Sequence, residues 1–223
     1  MKPDSNAAFS CRLCPRLAEF LDEVRRVQPD YFARPVPSFG DTGSRLLIVG
    51  LAPGMHGANR TGRPFTGDFA GKLLYSTLHQ FGFASCAEPL DAAGQANPEL
   101  TLRNCRITNA VRCLPPQNKP EPAEVKQCNS YLAGELASLP QGAVVLSLGL
   151  VSHQAVLRAL GLRAKDYVFA HGAQHVLPNG MMLYDSYHCS RYNTQTKRLT
   201  EAMFHDVFGA IVHYLESSQR IRP

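Results

Sequence analysis

The sequence predicts an α/β fold, namely a three-layer α/β/α sandwich around a central, mainly parallel four-stranded sheet. Two observations predict it. Short apolar runs of the kind that form buried strands recur along the chain, and segments with helical periodicity separate them. Strands that alternate with helices indicate βαβ units, in which neighbouring strands run parallel and helices cover both faces. A length of 223 residues suits a single domain over residues 1–223.

The predicted elements are four strands and four helices. The strands are residues 45–50, 105–111, 143–149 and 181–187, and the helices are residues 70–81, 122–139, 150–160 and 194–215. Pro- and Gly-rich stretches at 34–43 and 114–122 predict loops. Ligands of open α/β sheets bind beyond the carboxyl ends of the strands. The loops of interest are therefore residues 50–68, 109–113, 149–153 and 188–193.

Composition excludes some classes of protein. No apolar run reaches the roughly 18 residues that a membrane-spanning helix needs, and the N-terminus lacks the apolar stretch of a signal peptide. We therefore expect a cytoplasmic protein that makes no membrane contact, and a monomer. The net charge of +5 is compatible with a polyanionic partner, although basic surfaces also serve solubility.

The seven cysteines indicate metal chemistry rather than disulfides, because their number is odd and no export signal is present. Cys11 and Cys14 form a C-x2-C pair, and Cys113 and Cys128 lie far downstream. Four thiolates suit either a tetrahedral zinc ion or a [4Fe–4S] cluster, and the spacing leaves both open. Burial as small apolar residues is the alternative, and it is the preferred interpretation for Cys105, inside a predicted strand.

The loop after the first strand, residues 50–68, is the most unusual segment. Its glycines allow the backbone to approach a ligand closely, but it lacks the lysine of a nucleotide-triphosphate loop. Phe65 offers a flat face for stacking, or else belongs to the core. Asp68 is the only acid of the segment, and it is either a functional carboxylate or a helix N-cap.

Two further loops carry polar side chains. His188 follows the fourth strand and can donate a hydrogen bond or a proton. Ser190 can hold a phosphate or merely cap a helix, and Tyr192 can wedge into a base stack. Asn109 ends the second strand, and its amide matches the edge of a base unless it serves structure alone.

Together these segments resemble the uracil-DNA glycosylase superfamily, and in particular family 5 (type b), whose members contain iron and sulfur. GLAPGMHGANRTGRPFTGD (50–68) resembles the first motif of that family and TNAVRC (108–113) its middle motif. HCSRYN (188–193) is similar to the second signature loop, which usually begins His-Pro-Ser. The pattern of Cys11, Cys14, Cys113 and Cys128 matches the cluster ligands, so the resemblance implies a [4Fe–4S] cluster rather than zinc.

The resemblance implies a hydrolase that cuts the N-glycosidic bond of uracil in DNA, starting base-excision repair, and that also accepts other deaminated bases such as hypoxanthine. The flipped-out base would lie in a pocket lined by Gly50, Leu51, Ala52, Pro53 and Gly54. Phe65 would stack on it, Asn109 would bind its Watson–Crick edge, and His188 would stabilise the departing base. Asp68 would stabilise the cationic sugar or position water. The duplex would be held by Ser190, Arg191 and Tyr192.

Two positions depart from the wider superfamily. Leu51 stands where family 4 carries Glu and family 1 a polar residue; this Leu is typical of family 5 and removes the usual water-orienting group. Cys189 replaces the usual Pro of the His-Pro-Ser loop, whose ring would fix the backbone. Two other functions stay open from the residues alone: a non-catalytic nucleic-acid-binding module with a structural metal, and a nucleosidase that acts on small molecules.

Overall fold

A computed structural model describes residues 10–220 as a six-stranded sheet with helices on both faces. The strands are β1 (Phe39–Gly40), β2 (Leu46–Gly50), β3 (Cys105–Asn109), β4 (Val144–Leu148), β5 (Gln174–Val176) and β6 (Met182–Ser186). Their order across the sheet is β1-β3-β2-β4-β6-β5. The three-layer α/β prediction is confirmed.

The four central strands are parallel, and they are the four that the sequence predicts. The predicted number of strands is too low, because β1 and β5 add antiparallel edges. The sequence does not predict these two edge strands, for a physical reason. β1 has two residues inside a Pro-rich loop, and β5 has three residues with the outer two exposed, so neither forms an apolar run.

The helices are α1 (Pro15–Val27), α2 (Ala58–Thr61), α3 (Phe69–Gln80), α4 (Pro122–Ala137), α5 (Leu150–Ala159), α6 (Arg191–Gln195) and α7 (Glu201–Arg220), with short 3₁₀ turns at Pro116–Asn118 and Ala164–Asp166. Three predicted helices correspond to α3, α4 and α5 within two residues at each end. The sequence reading missed α1, which begins directly after Cys14 with a proline in its first turn.

The predicted closing helix, residues 194–215, is wrong as a single element, because it is divided into α6 and α7. Lys197 has a left-handed backbone (φ 56°), which an α-helix cannot accommodate. The break places Leu199 fully in the core, with its N–H donating to the Asn193 carbonyl. The Thr200 hydroxyl then accepts from the Met203 N–H at the start of α7. Burial of Leu199 thus overrides the helical periodicity.

The parallel strands are buried on both faces, which explains why they read as continuous apolar runs. In β2, Leu46 and Ile48 pack towards α3 and α7, whereas Leu47 and Val49 pack towards α1, α4 and α5. Because β2, β3, β4 and β6 are parallel, their carboxyl ends meet at one edge of the sheet. Within residues 10–220, no helix has the length and apolar character needed to cross a bilayer.

Candidate active site

Gly50 is the point where three predicted site residues meet. It pairs with Asn109 across the ends of β2 and β3. A Cβ added to Gly50 would overlap the Asn109 side-chain oxygen and would lie 2.7 Å from the Phe65 ring. Only glycine therefore allows the amide of Asn109 and the ring of Phe65 to approach the strand end together.

The Phe65 ring is held in place by its surroundings. Its backbone adopts φ 54°, a strained value for a bulky residue, and its side chain is only 6% exposed. The Tyr75 hydroxyl donates to the Pro64 carbonyl at 2.8 Å. A Cβ on Gly71 would overlap the Phe65 carbonyl oxygen, so α3 can pack against this turn only through glycine. The ring is thus fixed both as part of the core and as a wall of the site.

His188 lies against the same ring, with the two ring centroids 5.9 Å apart and the planes 27° from parallel. Burial lowers its pKa to about 4, so the imidazole is neutral near pH 7. The Asn193 amide donates to the His188 carbonyl at 2.8 Å and so holds the loop. Gly149 faces His188, because a Cβ there would lie 3.7 Å from the Cβ of His188.

Asp68 caps α3, as one of the two sequence interpretations proposes. One carboxylate oxygen accepts from the Gly71 N–H at 2.9 Å. The other oxygen faces the glycine loop, where a Cβ would lie 2.8 Å away if added to Gly57 and 3.5 Å away if added to Gly54. Capping therefore occupies one oxygen and leaves the second directed at the loop.

Two opposing effects act on the pKa of Asp68, its burial and its position at a helix start. Burial raises its pKa, and the backbone hydrogen bonds from Gly71 and Ala70 only partly oppose that rise. The same region contains Cys189, which fills the core in place of the usual Pro. Burial and then the charge of Asp68 raise the pKa of the Cys189 thiol, so this cysteine is an inert, neutral core residue.

The amide of Asn109 has no hydrogen-bond partner within the part of the chain that the structure describes, although the residue is only 6% exposed. Its polar atoms are not among those sealed from solvent without a partner, so they stay open to the pocket, where the edge of a ligand can bind them. The backbone of the remaining pocket residues continues from β2. Leu51 and Gly54 are half-buried, Ala52 is half-buried against the core cluster on the side of the sheet that α1, α4 and α5 cover, and Pro53 is buried.

The loop 190–192 lies at the surface beside this site. The Ser190 hydroxyl accepts from the Asn193 N–H, so it caps α6. The Arg191 guanidinium lies 5.4 Å from the centroid of the Phe69 ring. Tyr192 is 70% exposed. An exposed aromatic next to an arginine provides a surface that can meet another molecule.

The four predicted metal ligands lie together. Cys11, Cys14, Cys113 and Cys128 line one small cavity between α1, the loop after β3, and α4. Burial, followed by the charge of the neighbouring thiols, raises the pKa of Cys113 to about 12, and burial is also the main cause that raises the pKa of Cys128 to about 11. Thiols in this state ionise only when a cation compensates them.

The walls of the cysteine cavity are tied together by long-range ion pairs that sequence reading missed. Arg16 of α1 forms two hydrogen bonds of 2.8 Å with Glu124 of α4. Arg112 pairs with buried Glu135 and lies 5.0 Å from the Tyr131 ring centroid. A charged pair separated by over a hundred residues has no periodic signal, so only the folded chain reveals it.

The N-terminal segment also contacts the glycine loop. The N–H groups of Phe32 and Ala33 donate to the carbonyls of Arg60 and Asn59 in α2, each at 3.0 Å. The Tyr31 hydroxyl lies 2.7 Å from His56 Nδ1. The segment that begins with Cys11 and Cys14 therefore supports both the cysteine cavity and the loop that faces Asp68.

A larger cavity of about 630 Å³ lies outside the Gly50 site. It is bounded by the exposed side of α3, the segment 87–89 and the connection between α6 and α7, and its lining includes Phe69, Lys72 and Thr194. None of Gly50, Asn109 or His188 lines it. At Gly50, by contrast, the ring of Phe65 meets the amide of Asn109.

An aromatic ring, an amide, a neutral imidazole and a carboxylate lie near the strand ends of this α/β sandwich, an arrangement that can accept a planar ring with amide-like edges. The Uracil DNA glycosylase superfamily profile matches residues 37–211. The chain belongs to this superfamily.

Curated relatives match over most of the chain. One is a "Type-5 uracil-DNA glycosylase" of Thermus thermophilus, which is 48% identical over 89% of this chain and 90% of its own length. Proteins with the same description from Mycobacterium leprae and Pyrobaculum aerophilum are 44% and 40% identical. They cover 92% and 87% of this chain, and 92% and 84% of their own lengths.

Proposed function

We propose that this protein hydrolyses the N-glycosidic bond of uracil in DNA and thereby starts base-excision repair. The observation that carries the proposal is the meeting of Phe65 and Asn109 at Gly50, with His188 against the Phe65 ring and the second carboxylate oxygen of Asp68 facing the adjoining loop. Membership of the superfamily and the descriptions of the curated relatives support the same reaction.

Each group has a defined part in this proposal. A uracil flipped out of the duplex stacks on Phe65 and satisfies the amide of Asn109, which finds no other partner within residues 10–220. His188, neutral because burial lowers its pKa to about 4, donates a hydrogen bond to the departing base as negative charge develops on it. Asp68 faces the sugar and stabilises its cationic character or positions the attacking water.

The base range extends to other deaminated bases such as hypoxanthine. Leu51 adds no polar group to the pocket edge, and Asn109 carries both a donor and an acceptor. A pocket with one amide and an apolar neighbour discriminates weakly between rings that present an amide-like edge.

We further propose that Cys11, Cys14, Cys113 and Cys128 hold a [4Fe–4S] cluster. The four thiols line one cavity, and the resemblance of their pattern to the cluster ligands of the family favours a cluster over zinc. The cluster would fasten α1 and the loop after β3 to α4.

DNA is the proposed partner, and Ser190, Arg191 and Tyr192 are its proposed contacts. Arg191 supplies a positive charge for phosphate, and the exposed ring of Tyr192 enters the space that the flipped base leaves. A membrane plays no part in this proposal, and one copy of the chain, acting in the cytoplasm, contains every group that the reaction needs.

The test is base release measured on matched substrates. The holoprotein should release free uracil from a uracil-containing duplex but not from free deoxyuridine, because the nucleoside lacks the phosphates that the 190–192 loop holds. A nucleosidase would release uracil from both substrates. A binding module would retain the duplex and release no base, and either result would refute the proposal.

A further inference from the structure

A buried cluster of ionisable side chains lies beneath the site and takes no part in the chemistry described above. His153 on α5 is 1% exposed and Asp185 on β6 is fully buried. His175 on the edge strand β5 and Ser147 on β4 complete the cluster. We propose that His153 is an imidazolium that forms an ion pair with Asp185, and that this pair positions the His188 loop for base release.

The hydrogen-bond partners of His153 require a proton on each ring nitrogen. Its Nε2 faces the Tyr167 carbonyl oxygen at 3.0 Å, and that oxygen can only accept. Its Nδ1 faces the Asp185 carboxylate at 2.9 Å. Asp185 also accepts from the Ser147 hydroxyl and faces His175 Nε2 at 3.3 Å. The Asp185 oxygen that faces His153 Nδ1 already accepts from the Ser147 hydroxyl, so we assign the donor of the second contact to Nδ1.

The pKa of His153 agrees with this geometry. Burial lowers it, but the hydrogen bond and charge of Asp185 and the Tyr167 carbonyl raise it more, and the net pKa lies above the usual 6.5. The stabilisation from the charged pair is therefore fully present below pH 6.5 and is lost as pH rises through the raised pKa. The titratable and charged groups that face the ring are Asp185 and His175.

The same three side chains are the ones whose ligand atoms approach closely enough to hold a metal ion. The distance between His153 and Asp185 favours a proton. The contact of 2.9 Å between Nδ1 and the carboxylate is a normal charged hydrogen bond, whereas nitrogen and oxygen ligands of a tetrahedral zinc ion lie about 3.3 Å apart.

The cluster connects directly to the loop of His188. The side-chain contact of His153 with Asp185 joins α5 to β6. Beside it, the backbone N–H of His153 donates to the Gly149 carbonyl at 3.1 Å, and the backbone N–H of Gly149 donates to the Ser186 carbonyl at 2.8 Å. Gly149 is also the residue that faces His188. His153 and Asp185 therefore fasten the first turn of α5 to the end of β6, where the His188 loop begins.

A second route runs through stacked rings. Phe169 lies between the rings of His153 and Tyr187, at 5.6 and 6.2 Å from their centroids. Tyr187, which precedes His188, stacks on His171 and donates its N–H to that ring at 3.3 Å. A shift of the His153 ring would reach the loop through its contact with Asp185 next to Ser186 and through Phe169 and Tyr187, so His153 is a positioning residue.

The decisive variant is His153→Asn, which keeps a donor near Asp185 and removes the positive charge. The matched control is His213→Asn, the same change at an exposed position on α7. Proton–nitrogen NMR of the histidine rings in the holoprotein should show both His153 nitrogens protonated at pH 7. In His153→Asn the ring signals of His188 should move, whereas in His213→Asn they should stay.

The activity readout rests on the proposed uracil excision, and the NMR readout does not. Single-turnover release of uracil from a duplex should fall as pH rises through the His153 pKa, and His153→Asn should abolish that alkaline limb and slow release by about tenfold. A His153 with one bare nitrogen at pH 7, stoichiometric zinc lost in His153→Asn, or unchanged His188 signals would overturn the proposal. A wild type without activity but with a doubly protonated His153 would instead refute the proposed function.

Discussion

Replacing Asp68 by Asn separates its two roles, because the two carboxylate oxygens do different things. One oxygen caps α3 by accepting from Gly71 at 2.9 Å, and Asn caps helices as well as Asp does. The other oxygen faces the glycine loop, and in the variant an uncharged amide takes the place of the carboxylate there. Asp68→Asn therefore removes the charge and keeps the cap.

The expected effects on stability and rate differ in size. The free energy of unfolding should stay within about 0.5 kcal/mol of the wild type, since the cap remains and the burial penalty on the charge disappears. Asp68→Ala should lose about 1 kcal/mol, because it lacks the cap. Single-turnover base release by Asp68→Asn should fall about a hundredfold or more, equivalent to roughly 2.7 kcal/mol of activation free energy.

The assay is single-turnover release of uracil from a labelled duplex, with DNA affinity measured in parallel and expected to change little. The control is Asp91→Asn, since Asp91 also accepts from backbone N–H groups but lies in another turn. Its rate should equal that of the wild type. A near-wild-type rate for Asp68→Asn would reduce Asp68 to a helix cap and refute the electrostatic role.

The remaining predictions concern the imidazole, the cysteines and the loop. The His188 ring should stay neutral in an NMR titration down to about pH 4, because burial lowers its pKa; a midpoint near 6.5 would contradict the burial of this ring. The holoprotein should contain iron and inorganic sulfide in equal amounts, and Cys14→Ala should lower thermal stability more than Cys86→Ala does; one zinc without sulfide would exclude the cluster. Tyr192→Ala should slow release from duplex DNA more than from single strands, where no stack must open; equal losses would exclude a wedge.

The sequence predicts the central sheet well. Each parallel strand is buried on both faces of the sheet, and its sequence is therefore a continuous apolar run. The sequence predicts local geometry well where the residue type has a strong local reason, such as Gly50 at a close approach or Asp68 at a helix start. The prediction fails where tertiary contacts determine the secondary structure, as in the helix break at Leu199 and the short edge strands. The pairs His153–Asp185 and Arg16–Glu124 are 32 and 108 residues apart, so they lie beyond any local pattern.

The most direct test of the proposed site is a crystal structure of Asp68→Asn bound to a uracil-containing duplex. The uracil should lie outside the base stack, with its ring against Phe65, its edge hydrogen-bonded to Asn109 and one oxygen near His188. The side chain at position 68 should lie beside the deoxyribose. A uracil that remains stacked in the duplex, or that occupies the 630 Å³ cavity beside α3 instead, would contradict the proposed chemistry at Gly50.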